Sequence, residues 1–212
     1  EYLKIPLIVS FSGATQEEFI RMLEGLELHC GIYGYEINIS CPNVENEGIA
    51  FGTNPDIVFN LVEKLARLTD RELIVKLSPN VTDIALIAQA AEAGGATSIS
   101  LINTLYGMAI NWETGKSRLS IPVCGYSGIG IKPVALALTY QTARAVKIPV
   151  IAMGGIHSWQ DALEFFYAGA SAIAIGTANF SNPLTIPEVY QGLLNFLTQR
   201  NLNLKDIIGK VN

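Results

Sequence analysis

Residues 148–177 read IPVIAMGGIHSWQDALEFFYAGASAIAIGT and contain one repeat of a parallel α/β fold. The continuous apolar run Pro149–Met153 predicts a strand that is buried on both faces. The segment Trp159–Ala168 predicts the helix that follows, and Gly169 lies just past its end. A second apolar run, Ala172–Gly176, predicts the next strand. This order of strand, helix and strand is typical of a βα unit.

The same alternation extends over the rest of the chain. Four more buried strands are predicted, at Ile5–Ser10, Tyr35–Ser40, Leu73–Leu77 and Ser98–Ile102. The remaining helices are predicted at Gln16–Leu28, Pro55–Thr69, Asp83–Ala93, Lys132–Val146 and Pro183–Thr198. Thr15 and Glu18 predict a capping box at the first helix. The alternating segment Gly107–Val123 predicts a hairpin that is inserted after a strand.

Composition narrows the possible classes of protein. A chain of 212 residues that is 50% hydrophobic and 16% charged predicts a single globular domain over residues 1–212. A net charge of -5 argues against a nucleic-acid partner. No apolar run approaches the roughly 18 residues of a membrane span. Cys30, Cys41 and Cys124 form no CxxC pair and no zinc set, so reduced thiols and a cytoplasmic location are expected.

The position of polar residues decides between two α/β architectures. Six βα units could form a doubly wound sheet, which concentrates its ligand groups at one switch point. In a barrel, the carboxyl ends of all strands face one ligand. Every predicted strand except the first ends in amides, a lysine or glycines, which favours the barrel. A (β/α)8 barrel typically needs about 250 residues and eight units. Since the chain also opens on Glu1 rather than Met, we expect it to be part of a longer protein.

Two strand ends predict a phosphate site. Gly154-Gly155 and Gly176-Thr177 each follow a predicted strand, and late-strand loops of barrels often bind phosphate through backbone N–H groups. Glycine permits this approach because no Cβ stands in the way. The pattern would serve FMN or a sugar phosphate, and ordinary turn glycines are the alternative interpretation.

The other strand ends offer groups for a planar heterocycle. Lys76 interrupts an apolar strand, where a buried ammonium is costly unless it is paired. Its charge would suit the N1–C2=O edge of a reduced flavin, although a lysine that reaches solvent is the alternative. Asn38, Asn43 and Asn103 provide amide donors and acceptors. The Cys41 thiolate could act as a general base, with a small buried cysteine as the alternative.

Five motifs together resemble the class 1 dihydroorotate dehydrogenases over essentially the whole chain. The run from Ser78 to Asp83 resembles subclass 1B, whose electron acceptor is NAD through an iron–sulfur and FAD partner subunit. The motifs are Asn38–Asn43, Val75–Ile84, Ile102–Thr104, Ile131–Leu136 and Gly169–Phe180.

The resemblance implies a fold, a reaction and partners. The fold would be a (β/α)8 TIM barrel, here without its first two βα units. The reaction would be the oxidation of (S)-dihydroorotate to orotate in pyrimidine biosynthesis. Cys41 would remove the C5 proton and FMN would take the C6 hydride. A homodimer with an iron–sulfur/FAD subunit is implied, and the final electron acceptor, NAD or fumarate, stays open.

The resemblance also implies a role for each site residue. Asn38 would contact flavin and substrate, and Asn43, Asn103 and Thr104 would hold the orotate. The cofactor-binding residues would be Ser10, Asn38, Lys76, Ile102, Gly128, Gly154, Gly155, Gly176 and Thr177. Two departures stand out. Ser10 replaces the usual Asn, and Cys124–Gly128 reads Cys-Gly-Tyr-Ser-Gly instead of Gly-Gly-Leu-Ser-Gly.

Two alternative functions remain at the level of sequence. The flavin domain of a dihydropyrimidine dehydrogenase-like enzyme shares the Asn-x-Ser-Cys-Pro motif. A non-catalytic barrel remnant, retained as a binding or assembly module, is the other alternative. Phe51–Pro55 favours dihydroorotate over other pyrimidines, and a native start near Glu1 would favour the remnant.

Overall fold

The computed structural model describes residues 5–40 and 51–211 of the chain. The strands are β1 (Leu7–Phe11), β2 (Ile32–Asn38), β3 (Glu72–Lys76), β4 (Ser98–Leu101), β5 (Leu105–Gly107), β6 (Cys124–Tyr126), β7 (Val150–Met153) and β8 (Ala172–Ala174). The helices are α1 (Gln16–Glu27), α2 (Pro55–Ala66), α3 (Ile84–Ala93), α4 (Lys132–Ala145), α5 (Trp159–Tyr167), α6 (Ala178–Ser181) and α7 (Thr185–Gln199).

Six of these strands form one sheet in the order β1-β2-β3-β4-β7-β8. Every neighbouring pair in this sheet is parallel. A doubly wound sheet reverses its strand order at the switch point. The sheet described here follows the order of the chain without a reversal. It therefore has the arrangement of an α/β barrel and not that of a doubly wound fold.

The two faces of the sheet differ in chemistry because side chains alternate along each strand. One face packs against the helices through fully buried side chains such as Tyr35 and Ile37 of β2 and Val75 of β3. Helix α1 contributes Phe19 and Leu23 to the same core. The opposite face presents polar residues on four successive strands, namely Ser10, Glu36, Lys76 and Ser100. The carboxyl half of this inner face is where a site can form.

The end of β2 and the cap of α1 differ from the prediction for local reasons. Strand β2 ends at Asn38 rather than Ser40, because the Asn38 side chain accepts the backbone N–H of Ser40 at 3.2 Å and turns the chain. The predicted capping box is half wrong. Thr15 Oγ1 accepts the N–H of Glu18 at 3.2 Å, but the Glu18 carboxylate accepts the N–H of Ala14 at 2.7 Å.

The carboxyl-terminal region also differs from the prediction. Helix α7 begins at Thr185 and not at Pro183, and the short helix α6 precedes it. Asn182 separates the two helices, since its side-chain oxygen accepts the N–H of Leu184 at 3.0 Å.

A two-stranded antiparallel hairpin follows β4. Strands β5 and β6 pair at its base, where Leu105 faces Tyr126, and an isolated bridge joins Ile110 to Ser117 further out. The described helices include none that is both long and apolar enough to cross a membrane.

Candidate active site

A cavity of about 360 Å³ opens at the carboxyl ends of β3, β4, β7 and β8. Most of the described residues that the sequence assigns to a cofactor or substrate site line this cavity. They are Lys76, Ile102, Asn103, Thr104, Gly128, Gly154, Gly155, Gly176 and Thr177. Cys41 and Asn43 lie outside the described residues. The parallel strands of the barrel-like sheet therefore converge on one site, as their polar carboxyl ends predict.

Three polar side chains meet at the ends of β2 and β4. The amide Nδ2 of Asn103 donates to Asn38 Oδ1 at 3.3 Å and also to the hydroxyl of Ser40. The backbone N–H of Thr104 donates to Asn103 Oδ1 at 2.9 Å. Asn38 does not itself line the cavity, but it is hydrogen-bonded to Asn103, which does. This group offers amide donors and acceptors to a planar ligand.

Lys76 is paired, which resolves the cost of placing an ammonium in an apolar strand. Its Nζ lies 3.4 Å from Glu36 Oε1, and the two side chains are only 20% and 14% exposed. Glu36 is not among the residues predicted from sequence, although a signal was present. Glu36 interrupts β2 just as Lys76 interrupts β3, and it lies two residues before Asn38, on the same face.

Ser10 reaches the site only through Glu36. The hydroxyl of Ser10 donates to Glu36 Oε1 at 2.8 Å, and that of Ser100 donates to Glu36 Oε2, also at 2.8 Å. Ser10 and Asn38 do not line the cavity, whereas the other described residues assigned to the cofactor do. Strand register explains the cluster, because Ser10 is the partner of Glu36 and Ser100 is the partner of Lys76.

Glycines form the opposite wall. Gly128, Gly154 and Gly155 have φ values of 101°, 129° and 77°, which L side chains rarely adopt. A Cβ at Gly155 would also lie 2.8 Å from the backbone nitrogen of Lys132. Gly176 is different, because a Cβ there would have no protein atom within 4 Å. The wall leaves room and free backbone N–H groups for an anionic ligand.

An ion pair fixes the loop that follows β7. Lys132 Nζ lies 2.7 Å from Asp161 Oδ1, and the other Asp161 oxygen accepts the N–H groups of His157 and Ser158 at 3.0 and 2.9 Å. Burial alone raises the pKa of Asp161, but the hydrogen bond from Lys132 and those from His157 and Ser158 outweigh it and hold the pKa below the usual value. The carboxylate therefore stabilises the fold above the unfolded-state pKa, and this contribution is lost as the pH falls through the lowered pKa.

Residues 1–197 match the family model described as "Dihydroorotate dehydrogenase". The chain belongs to this dihydroorotate dehydrogenase family. One relative, from Thermoanaerobacter sp. (strain X514), is 49% identical over 208 residues, which are 98% of this chain and 68% of the relative. Another, from Geobacillus kaustophilus (strain HTA426), is 42% identical over 211 residues, 99% of this chain and 67% of the relative. Both are named "Dihydroorotate dehydrogenase B (NAD(+)), catalytic subunit".

Membership of the dihydroorotate dehydrogenase family confirms the resemblance that the motifs indicated. A third relative, from Alkaliphilus oremlandii (strain OhILAs), is 48% identical over 97% of this chain and has the same name. The names of all three relatives agree with the subclass indicated by the run from Ser78 to Asp83. The family match also agrees with the barrel-like strand order of the described sheet.

Proposed function

We propose that this protein oxidises (S)-dihydroorotate to orotate with FMN, in pyrimidine biosynthesis. The supporting observation is that one cavity is lined by Lys76 and Asn103 on one side and by the glycine wall on the other. Its volume of about 360 Å³ lies in the usual range for small-molecule sites. The glycine wall fits a phosphate, because a Cβ at Gly176 would extend into open space beside the cavity.

Each side of the site has a separate task in this reaction. FMN, when bound, would supply the acceptor for the hydride from C6 of dihydroorotate. Cys41 Sγ takes the proton from C5, so that the C5=C6 double bond of orotate forms. Asn38, Asn43, Asn103 and Thr104 hold the ring and its carboxylate through amide and hydroxyl groups.

The cofactor is held by the remaining residues of the cavity. The Lys76 ammonium would hold the N1/O2 edge of the flavin and offset negative charge there. Backbone N–H groups of the glycine wall bind the phosphate. We assign to this wall Gly128, Gly154, Gly155, Gly176 and Thr177. We assign Ile102 and Asn38 to the flavin side, and Ser10, which does not line the cavity, would act on the flavin only indirectly.

An anaerobic visible spectrum, recorded before and after addition of dihydroorotate, tests this function. We expect a flavin band that bleaches with dihydroorotate. A band that dihydroorotate leaves unchanged, but that dihydrouracil bleaches, would support the dihydropyrimidine dehydrogenase-like alternative. A protein that stays colourless after incubation with FMN would refute the flavoenzyme and favour the non-catalytic barrel.

We also propose that two further βα units close the sheet into a (β/α)8 barrel and that the whole forms one domain. Strands β1 and β8 are the edges of the described sheet. Leu7 and Ile8 of β1 are 41% and 43% exposed, and Ala172 of β8 is exposed as well. Such exposure is unusual for barrel strands, and the relatives are longer than this chain. Fast hydrogen exchange at β1 and β8 in the full-length protein would contradict closure.

The assembly is proposed to be a homodimer that passes electrons to an iron–sulfur/FAD subunit. The relatives' names describe a catalytic subunit, which supports a partner. Tyr106, Met108, Ile110 and Trp112 of the hairpin are all more than half exposed, and apolar patches of this kind often mark contacts. We expect Trp112→Asp to convert the dimer to a monomer in light scattering, whereas an unchanged mass would place the dimer contact elsewhere.

A cytoplasmic location is proposed on the chemistry of the thiols. Cys30 and Cys124 are both unpaired in the described structure, as reduced cytosolic thiols are. Recovery of the enzyme in the membrane or secreted fraction of its cells would contradict this location.

A further inference from the structure

Glu36 has no part in the function proposed above, although it lines the same cavity. It is a nearly buried carboxylate, with its side chain 14% exposed, on the inner face of β2. A buried charge is costly unless it is paired and hydrogen-bonded. A residue with no task would be better replaced by an apolar one at this position. The charge at this position therefore calls for a reason.

Three other strands of the sheet each contribute a donor to Glu36. Ser10 of β1 and Ser100 of β4 donate from their hydroxyls at 2.8 Å, one to each carboxylate oxygen. Lys76 of β3 lies 3.4 Å from Oε1. Both oxygens are thus fixed by neutral donors, and the ammonium is the longest of the three contacts. The carboxylate is anchored independently of Lys76.

The charge balance of the cavity depends on this pair. Among the described lining residues, Glu36 and Lys76 are the acidic and basic side chains, with His157 as the remaining titratable group. A cation beside a cofactor stabilises its negatively charged form, and a nearby carboxylate offsets part of that effect. The position of Glu36 therefore sets how much of the Lys76 charge acts on a ligand in the cavity.

We propose that Glu36 is a positioning residue that Ser10 and Ser100 anchor. Its carboxylate holds the Lys76 ammonium at the cavity wall and limits the effect of that ammonium on the reduction of bound FMN. This inference rests on the proposed function, because it requires FMN in the cavity. It also gives Ser10 a role in place of the usual Asn, since the serine hydroxyl acts on the cofactor through Glu36 and Lys76.

The midpoint potential of the bound FMN, measured by anaerobic reduction with a reference dye, tests this role. Glu36→Gln keeps the shape and removes the charge, so the Lys76 ammonium acts on the flavin without compensation. We expect the ratio of reduced to oxidised FMN at a given potential to rise roughly tenfold. For a two-electron couple this corresponds to a rise of about 30 mV in the midpoint potential. A potential equal to that of the wild type would overturn the proposal.

Two further variants separate charge from packing. Glu36→Asp keeps the charge but shortens the side chain, and we expect its ratio to stay within roughly twofold of the wild type. A purely structural role predicts the opposite order, with the shorter Asp more disturbed than the isosteric Gln, and that order would overturn the proposal. Glu72→Gln, at the other end of β3, is the matched control and should leave the potential unchanged.

A last variant covers the case in which Glu36→Gln does not fold. Replacing both Ser10 and Ser100 by alanine keeps every charge but frees the carboxylate from its anchors. We expect the ratio of reduced to oxidised FMN to rise, but by less than in Glu36→Gln. An unchanged ratio would count against the anchoring role. A wild-type protein that binds no FMN would refute the proposed function itself, which the visible spectrum reveals before any variant is made.

Discussion

Replacing Cys41 by alanine is expected to slow the reduction of bound FMN by dihydroorotate roughly 10²–10⁴-fold, the range typical for loss of a general base. Without the thiolate, the C5 proton has no positioned acceptor, so the hydride cannot leave C6 in step with it. Binding of FMN should be unaffected, because the glycine wall and Lys76 remain. Anaerobic stopped-flow mixing with dihydroorotate measures this step directly, since no electron acceptor is needed.

Cys30→Ala is the matched control for this variant. Cys30 is exposed and lies just before β2, at the end of the strand opposite the cavity. Its replacement should leave the rate of flavin reduction unchanged. A Cys41→Ala protein that reduces FMN at the wild-type rate would remove Cys41 from the mechanism. His157, which lines the cavity with Nδ1 3.1 Å from the Gly155 carbonyl, would then be the first base to examine.

The barrel-like order of strands could be predicted from sequence because its signal is local and repeated. Each strand is a short apolar run that ends in a polar or glycine residue, and this pattern survives errors of a few residues at the boundaries. The end of β2 shows such an error. The apolar run continues to Ile39, yet a side-chain-to-backbone hydrogen bond of Asn38 has already turned the chain. The apolar pattern holds no information on whether a side chain or a neighbouring strand accepts a given backbone N–H.

The partner of Lys76 was harder to predict. Sequence alone indicated that an ammonium in β3 needs a partner, but the partner lies on another strand, 40 residues away along the chain. The register of β2 against β3 places Asn38 directly opposite Lys76 and Glu36 diagonally from it, two residues earlier on the same face. The same applies to Ser100, which appears in sequence as an ordinary small residue of a buried strand. Local patterns predicted which strand ends matter, whereas pairing between strands decides which side chains meet there.

The second large effect is expected at Gly176, where alanine should weaken FMN binding roughly 10- to 100-fold. This range corresponds to the loss of about one hydrogen bond to a charged group, since a methyl group would hold the phosphate away from the backbone N–H. The fold should tolerate the change, because the new Cβ meets no protein atom within 4 Å. Titration of the apoprotein with FMN, followed by flavin fluorescence, gives the dissociation constant. The thermal midpoint of the apoprotein should not fall.

Two other glycines make this result interpretable. Gly25 in α1 is equally uncrowded and lies away from the cavity, so Gly25→Ala should stabilise the helix by about 0.5–1 kcal/mol and leave FMN binding unchanged. Gly155→Ala should lower both stability and affinity, since it combines a φ of 77° with a contact of 2.8 Å to the Lys132 backbone. A Gly176→Ala protein with wild-type affinity would place the phosphate elsewhere. An unstrained methyl group at this strand end can lower FMN affinity only if the ligand approaches the backbone there. The comparison of the three glycine variants therefore tests the cofactor site separately from the fold.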